Sequence, residues 1–588
     1  MNNHFRIFKK LFCATISGNA LSASSCHRRN NTGSGLQTKK LSIESLESRQ
    51  MLAVVSLQVN VFEDVAGNAS DVSLRYALTQ ASKNPSDEYH ISFTSEVLEQ
   101  GIVLSTPLTV KNACTVTIAG AGLTLSGDGN TRLFTVSTGA NVTLENLTLK
   151  NGKANEGGTI SVVNSTLTME MVTVMDCTAD KGAAVYATGS TVVLTSCDVS
   201  GNVANSNGGA LYVTNKSVII VENCDFSGNT ASLGGAVYIT GNSDLLFDGC
   251  NFVRNTANGN GGAVYTTGTS DLVFDECRFD ANRAEVNGGA VYVQGPAPVT
   301  WNNCVFDANR TISGHGGAVY AGKNSNLTWQ DDCTFVSNRA GGGAAVFAAA
   351  NATLTVTDSR FSNNTAETRG GALRLELGAN ADIVNTVFVS NTATLGGAIH
   401  LLSGSRAVLE GCTIENNHAR AEGGAAYVTG DGSALTVQSD GTKNSIIRGN
   451  TAIGNGGAFY LQGSATDVVL PHLVVNALPS IINQPDETFY NNLSSLRGGA
   501  IAADRAIVDL YNVFLGVDAP QGFGNFLPNS AGALPGNAIF ATGVGMKITK
   551  HYFQGNQAHS TELSAWNLPQ YGIYNEFRYT DEQYNDFK

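Results

Sequence analysis

Three sets of side chains have the types and the spacing to do chemistry. Arg374, Glu376 and His400 supply a guanidinium, a carboxylate and an imidazole within two neighbouring stretches of similar sequence. An imidazole or carboxylate can act as general acid or base on a substrate whose charge a guanidinium holds. A second set, Glu222, Asp248, Asp275 and Asp331, recurs at one position of successive stretches, with Asn302 among them. Carboxylates stacked ~5 Å apart repel, so they form either a solvated edge or a weak calcium site. The third set is aromatic: Tyr186, Tyr212, Tyr238, Tyr265, Tyr292 and Tyr320, continued by Phe347, Tyr427 and Tyr460. A tyrosine offers both a ring and a hydroxyl to a glycan or protein partner. Seven of the 11 cysteines (Cys197, Cys224, Cys250, Cys277, Cys304, Cys333 and Cys412) share a further position, which Ser359 and Thr386 fill elsewhere. Neither Cys-x-x-Cys nor Cys/His metal spacing occurs. Buried small residues are expected there, with stacked disulfides as the alternative.

These residues are positioned by a repeat. Segments of the Gly-Gly-Ala-Val-Tyr type begin at 157, 182, 208, 234, 261, 288, 316, 343, 370, 396, 423, 456 and 498. The spacing is 25 to 28 residues as far as 423, then 33 and 42 where insertions such as Val468 to Asp486 intrude. One unit carries Val264-Tyr265-Thr266, Leu272-Val273-Phe274 and Cys277-Arg278-Phe279, each alternating with period two, so each is a strand. Three short strands per unit, without helical periodicity, predict an all-β, right-handed parallel β-helix solenoid with coils of ~26–27 residues. Each strand then pairs with its equivalent one coil away, at ~4.8 Å.

The stacked columns agree with this register. Phe226, Phe252, Phe279, Phe306, Phe335, Phe361 and Phe388 form one interior column, and Phe247, Phe274, Trp301 and Trp329 another. Asn202, Asn229, Asn255, Asn282, Asn309, Asn338, Asn364, Asn391 and Asn417 form a third, at a corner where asparagine tolerates left-handed backbone and its amide bonds along the stack. In the tyrosine strands the flanking residues are apolar, so period two sends them inward and Tyr outward. Arg374 and His400, replacing Tyr, read as a sign that this column faces solvent. Ala210, Ala236 and Ala263 beside it would leave a shallow trough along the rings.

The ends read differently. Residues 1–53 hold eight Lys/Arg against two acids and an apolar stretch from Leu11 to Ala23, which predicts an export leader; a basic tail is the alternative. Residues 54–100 form an N-terminal cap, with Leu74, Ala77, Leu78 and Ala81 on one helical stripe behind Asp71 as N-cap. Residues 101–515 are the β-helix repeats, and 516–588 a degenerate coil and C-terminal cap or tail. Within that last part Ala538-Ile539-Phe540 and Phe553-Gln554-Gly555-Asn556 still resemble coil pieces.

Hydrophobic residues are 42% and charged residues 14%, which describes a core-forming chain rather than a disordered one. The net charge is −13 overall and 27 − 46 = −19 beyond residue 53, so nucleic acid is excluded as a partner by repulsion. No run of 18 apolar residues exists to span a membrane as a helix.

Gly-Gly-Ala-Val-Tyr followed by Phe-x-x-Asn-x-Ala resembles the GGAI/FxxN repeats of the polymorphic outer membrane proteins, bacterial surface adhesins. Ser73-Leu74-Arg75-Tyr76-Ala77-Leu78 resembles the opening of related extracellular, pectin lyase-like β-helix proteins, and Leu46-Glu47-Ser48-Arg49-Gln50-Met51-Leu52-Ala53 resembles the element ending the leaders of many secreted, repeat-rich bacterial proteins. The resemblance implies an extracellular or cell-surface protein that binds a cell-surface protein or polysaccharide. Those adhesins end in a long membrane β-barrel, whereas fewer than 100 residues follow Gly498, so barrel anchoring is not expected. Gly314-His315-Gly316 matches the Gly-His-Gly of polygalacturonases, but Asp331-Asp332 follows it where that family's Asp pair precedes, and no Arg-x-Lys comes after. His315 is therefore read as a loop residue. The expectation is binding without catalysis through the tyrosine ladder, with no cofactor other than the calcium alternative. The alternative function is a polysaccharide lyase or glycoside hydrolase using Arg374, Glu376 and His400 on the same face.

Overall fold

The structure, a computed structural model, describes residues 54–476, then 489–511 except 491 and 497, and short strands as far as Tyr552–Phe553. The expected leader and the tail from Thr561 to Lys588 lie outside the described residues. Every strand pairing is parallel and joins residues one coil apart, such as Val237↔Val264 and Val264↔Val291. The chain is a right-handed parallel β-helix, as the repeat predicts.

A representative coil runs through Asp244–Asp248, Asn251–Val253, Thr256–Ala257 and Val264–Thr267. The first two belong to one long sheet, because Thr115–Ser126 and Asn141–Lys150 run through the intervening corner near its start. The tyrosine strands build a second sheet, and the two-residue Thr256–Ala257 type a third. That strand was not legible, since it runs from two residues, as in Thr256–Ala257, to five, as in Thr365–Arg369, and buries a single alanine such as Ala257 or Ala366. The corner between the first two strands is turned by one residue in left-handed backbone, such as Asn223 or Glu276.

The core is a column of stacked side chains in the lumen. Phe252, Phe279, Phe306, Phe335 and Phe361 stack at 4.4–4.8 Å with planes within 5°. Phe247, Phe274, Trp301 and Trp329 form the expected second stack and meet the first edge-on. Each buried aromatic side chain contributes about 1.5–3 kcal/mol of transfer free energy, so the repeat stabilises each coil through its neighbours.

Of the two causes expected for the asparagine column, the amide stack holds and the left-handed backbone does not. The left-handed residue is the one before it: Gly201, Gly228, Arg254, Ala281 and Ala308 all have positive φ, and none of the ladder asparagines does. The asparagines are kept for their amides. Each Nδ2 donates to the next Oδ1 at 2.9–3.1 Å and to a backbone carbonyl of an earlier coil, that of a valine for Asn202 and Asn229 and of a phenylalanine from Asn255 to Asn417, as Asn282 does to Asn309 and Phe252. The same Oδ1 accepts a backbone N–H from the preceding coil. The ladder extends past the insertion to Asn450 and Asn492 and begins against Cys177.

The helix Leu74–Lys83 lies against the first coil and buries Leu74, Ala77, Leu78 and Ala81 as expected. Its N-cap is Ser73, whose hydroxyl accepts from the Tyr76 N–H, and not Asp71. The cap region also contributes strands, since Val54–Val59 pairs with Glu88–Phe93 and that with Thr115–Ser126. At the other end Ile539–Thr542 pairs with Ile501–Asp504, so coil pairing continues past residue 515.

Candidate functional site

Most strands of the ladder are set by a glycine pair, replaced by Gly182-Ala183 before Tyr186 and by Gly343-Ala344 before Phe347. The first glycine, such as Gly234 (φ 61°), sits in left-handed backbone. The second is pressed against the next coil: a Cβ on Gly235 would lie 2.1 Å from the Gly262 carbonyl oxygen. That contact leaves no room for any side chain and keeps successive turns one strand spacing apart. Val237 and Ile239 then enter the lumen, and Tyr238 faces out.

The tyrosines are in register, Tyr186↔Tyr212↔Tyr238↔Tyr265↔Tyr292↔Tyr320. Their rings stack at 4.8–5.2 Å with planes 5–8° apart. Face-to-face stacking leaves edges and hydroxyls outward, so the rings are half-buried rather than exposed. Tyr265 is buried at 6% exposure, its hydroxyl held by the Gln294 side chain. Burial pushes these phenols up, Tyr320 to about 12. The expected alanine trough is absent at Ala210, Ala236 and Ala263, which are wholly buried.

The reading of Arg374 and His400 as marks of a solvent-facing column is corrected. Arg374 is 8% exposed and His400 not at all. They are brought together as expected: Arg374↔His400 are register partners, and Arg374 is ion-paired to Glu376, its Nε at 2.7 Å. Arg374 also lies over the Phe347 ring, 5.4 Å from its centre, and His315 stacks on that ring at 4.8 Å. His315 therefore joins this group as more than a loop residue. Gly342 makes room for it, since a Cβ there would sit 2.4 Å from Arg374 Nη1. Burial, then the fields of Arg374 and Arg369, hold His400 well below the usual imidazole range. Period two distinguishes lumen from exterior; it does not reveal what covers the exterior.

The ladder's start was missed. One coil before Tyr186 the column holds Ser161, and before that Thr135. Ser161 is itself buried, and a surface cleft of about 320 Å³ lies to the side of the column, lined by Arg132, Asn155, Glu156, Asp180 and Lys181. The Arg132 guanidinium donates to the Gly157 and Glu156 carbonyls, and Lys181 pairs with Glu156 at 3.1 Å. The Lys181 ammonium lies 5.5 Å from the Tyr212 ring centre. A signal was present: Glu156 and Lys181 are charged where the next coil's glycine pair follows Asn207.

The carboxylate column aligns Glu222↔Asp248↔Asp275↔Asn302 on the outer edge of the long sheet. Asp331 is not in it. Gln330 pairs with Asn302, and Asp331 turns the corner with φ 56°. Among the described residues no group of three or more His, Cys, Asp or Glu side chains is arranged to hold a metal ion. The cysteines of the shared column are unbridged and buried. Their thiols point back at the corner carbonyls, Cys277 Sγ lying 3.3 Å from the Asp275 carbonyl, and Cys197 and Cys304 donate N–H to the next sulfur.

A right-handed solenoid with a stacked aromatic ladder along its exterior is the class these features define. The sequence profile of the right-handed β-helix region family matches residues 158–338 and 310–477, and the chain belongs to that family. No curated protein and no solved structure matches the chain. No helix among the described residues is long and apolar enough to cross a membrane.

Proposed function

We propose that the protein acts at the cell surface or outside the cell by binding, with the tyrosine face as its recognition surface and a polysaccharide as its partner. The observation that supports this most is the register of the ladder. Six tyrosines repeat one strand spacing apart, and all but Tyr265, which Gln294 covers, present a half-apolar, half-polar edge to successive units of a polymer. The likeness of the repeats to surface adhesins points the same way. The polysaccharide-cleaving alternative requires a titratable group within reach of a glycosidic bond, and His400 has no exposed surface in this arrangement.

The test uses the full chain in co-sedimentation with insoluble cellulose, chitin and pectin. Tyr212, Tyr238 and Tyr292 changed together to Ser are expected to lower retention at least tenfold while the circular dichroism spectrum stays β-rich. Undiminished retention places recognition elsewhere. Release of reducing ends that is lost in Arg374→Ala restores the enzymatic reading.

A further inference from the structure

We propose that the outer face of the long sheet, over the coils from Val193 to Val273, is a docking surface for a basic amphipathic helix of a partner protein. The central outward position of the first strand is threonine on both sides of this stretch, at Thr143 and Thr168 before it and at Thr300, Thr328 and Thr355 after it. Between them the column reads Val193↔Ile220↔Leu246↔Val273. Val193, Leu246 and Val273 are partly exposed and Ile220 is 8% exposed, so the stripe is apolar surface set outside the lumen. Two residues to one side of it stand Asp244↔Asp271, and two residues to the other Glu222↔Asp248↔Asp275. In the coils of Leu246 and Val273 both flanks are therefore acidic.

These acids cost the sheet stability. Like charges directly opposite on adjacent strands repel, and aspartate is a poor strand former. Burial, then the field of Asp271, raises the Asp244 carboxyl. Cations brought against the columns relieve that repulsion, and the apolar stripe between them favours a partner that carries its own apolar surface. The dimensions select a helix. Each acidic column stands two strand residues from the stripe, ~6.6 Å away, and the four coils span ~14 Å along the solenoid. A helix roughly 10–12 Å across lies along the stripe between the columns, and about ten of its residues cover it. Apolar side chains at i, i+3, i+4 and i+7 then meet Val193, Ile220, Leu246 and Val273, while lysines or arginines on both flanks reach the carboxylates. The net charge of −13 steers such a partner toward the chain.

The probe is a fluorescent synthetic peptide of about 14 leucines and lysines, patterned as an amphipathic helix, titrated with the full chain and read by anisotropy. EDTA keeps calcium off the Glu222, Asp248 and Asp275 edge. A scrambled peptide of the same composition and an oligolysine of the same charge are the controls. Net charge attracts all three, so the difference between them reads the stripe. Saturable binding of the patterned peptide is expected, with both controls at least tenfold weaker. Asp244→Asn with Asp271→Asn should weaken it at least tenfold and raise the melting temperature, which separates lost docking from lost fold. Leu246→Thr with Val273→Thr installs the residue that neighbouring coils carry, and should weaken binding at least fivefold with the β-rich circular dichroism spectrum intact. Tyr212, Tyr238 and Tyr292 changed together to Ser should leave it unchanged, because the ladder lies on the second sheet. The proposal is overturned by equal binding of either control, by no saturable binding of the patterned peptide, by binding indifferent to either pair of substitutions, or by binding lost in the triple Ser variant.

Discussion

His400 stacks on Tyr427 with ring centres 5.2 Å apart, and neither of its ring nitrogens has a hydrogen-bond partner. An imidazole so placed is stable only when neutral. The unfolded chain binds a proton at the ordinary pKa of about 6.5, whereas folded His400 binds one only well below that. Stability is therefore full above pH ~6.5 and falls by up to about 1.4 kcal/mol per pH unit below it, until the folded pKa is reached. His315 and His418, both also lowered chiefly by burial, change stability in the same direction. His400→Phe should raise the melting temperature and flatten its decline between pH 7 and pH 5 in calorimetric scans. An unchanged pH profile in that variant means another group carries the dependence.

Asn282 exchanges amide hydrogen bonds with Asn255 and Asn309 and holds the Phe252 carbonyl. Asn282→Ala leaves several buried polar groups short of a partner, each at about 1–3 kcal/mol, so a loss of about 3 kcal/mol or more is expected in urea unfolding. Asn282→Asp should cost more at pH 7, because a carboxylate there is buried and faces the Asn309 Oδ1. A loss below about 1 kcal/mol for the alanine variant would mean the amide stack is not what pins this corner.

The cysteine column should be chemically silent. Burial pushes Cys277 and Cys304 well above the usual thiol range and Cys412 to about 12, and it is the thiolate that reacts. Contacts with Cys224 and Cys304 lower Cys197 and Cys333 instead, but both are buried away from any reagent. Native protein is expected to leave the nine described cysteines unlabelled by an aromatic disulfide reagent over hours, with all nine labelled in urea. A mass consistent with a bridge between Cys277 and Cys304 would restore the disulfide alternative.

Glu222, Asp248 and Asp275 lie on adjacent strands without the arrangement of a metal-holding group, so the calcium we propose for this edge is loosely held. Millimolar calcium is then expected to raise the melting temperature by a degree or two, the size of effect that mass action gives just above a millimolar Kd. Asp248→Asn with Asp275→Asn should remove that rise. A rise that persists in the double variant places the ion elsewhere.

The architecture was legible because parallel coils repeat every environment one turn later. Phe279, Cys277 and Asn282 therefore each head a column readable as a letter recurring every 25 to 28 residues. Asn450 and Asn492 escaped because insertions break that spacing, yet backbone pairing carries the ladder across them. The inward or outward sense of Tyr238 also followed from period two alone. What covers the outward face did not follow, since that depends on side chains a whole coil apart. Gln294 closes over Tyr265, Arg374 folds back on Phe347 and Glu376, and His400 is sealed between neighbours that period two does not weigh. The end of the ladder at Tyr186 is likewise a tertiary fact. Ser161 and Thr135 are unremarkable letters until pairing sets them in the ring column.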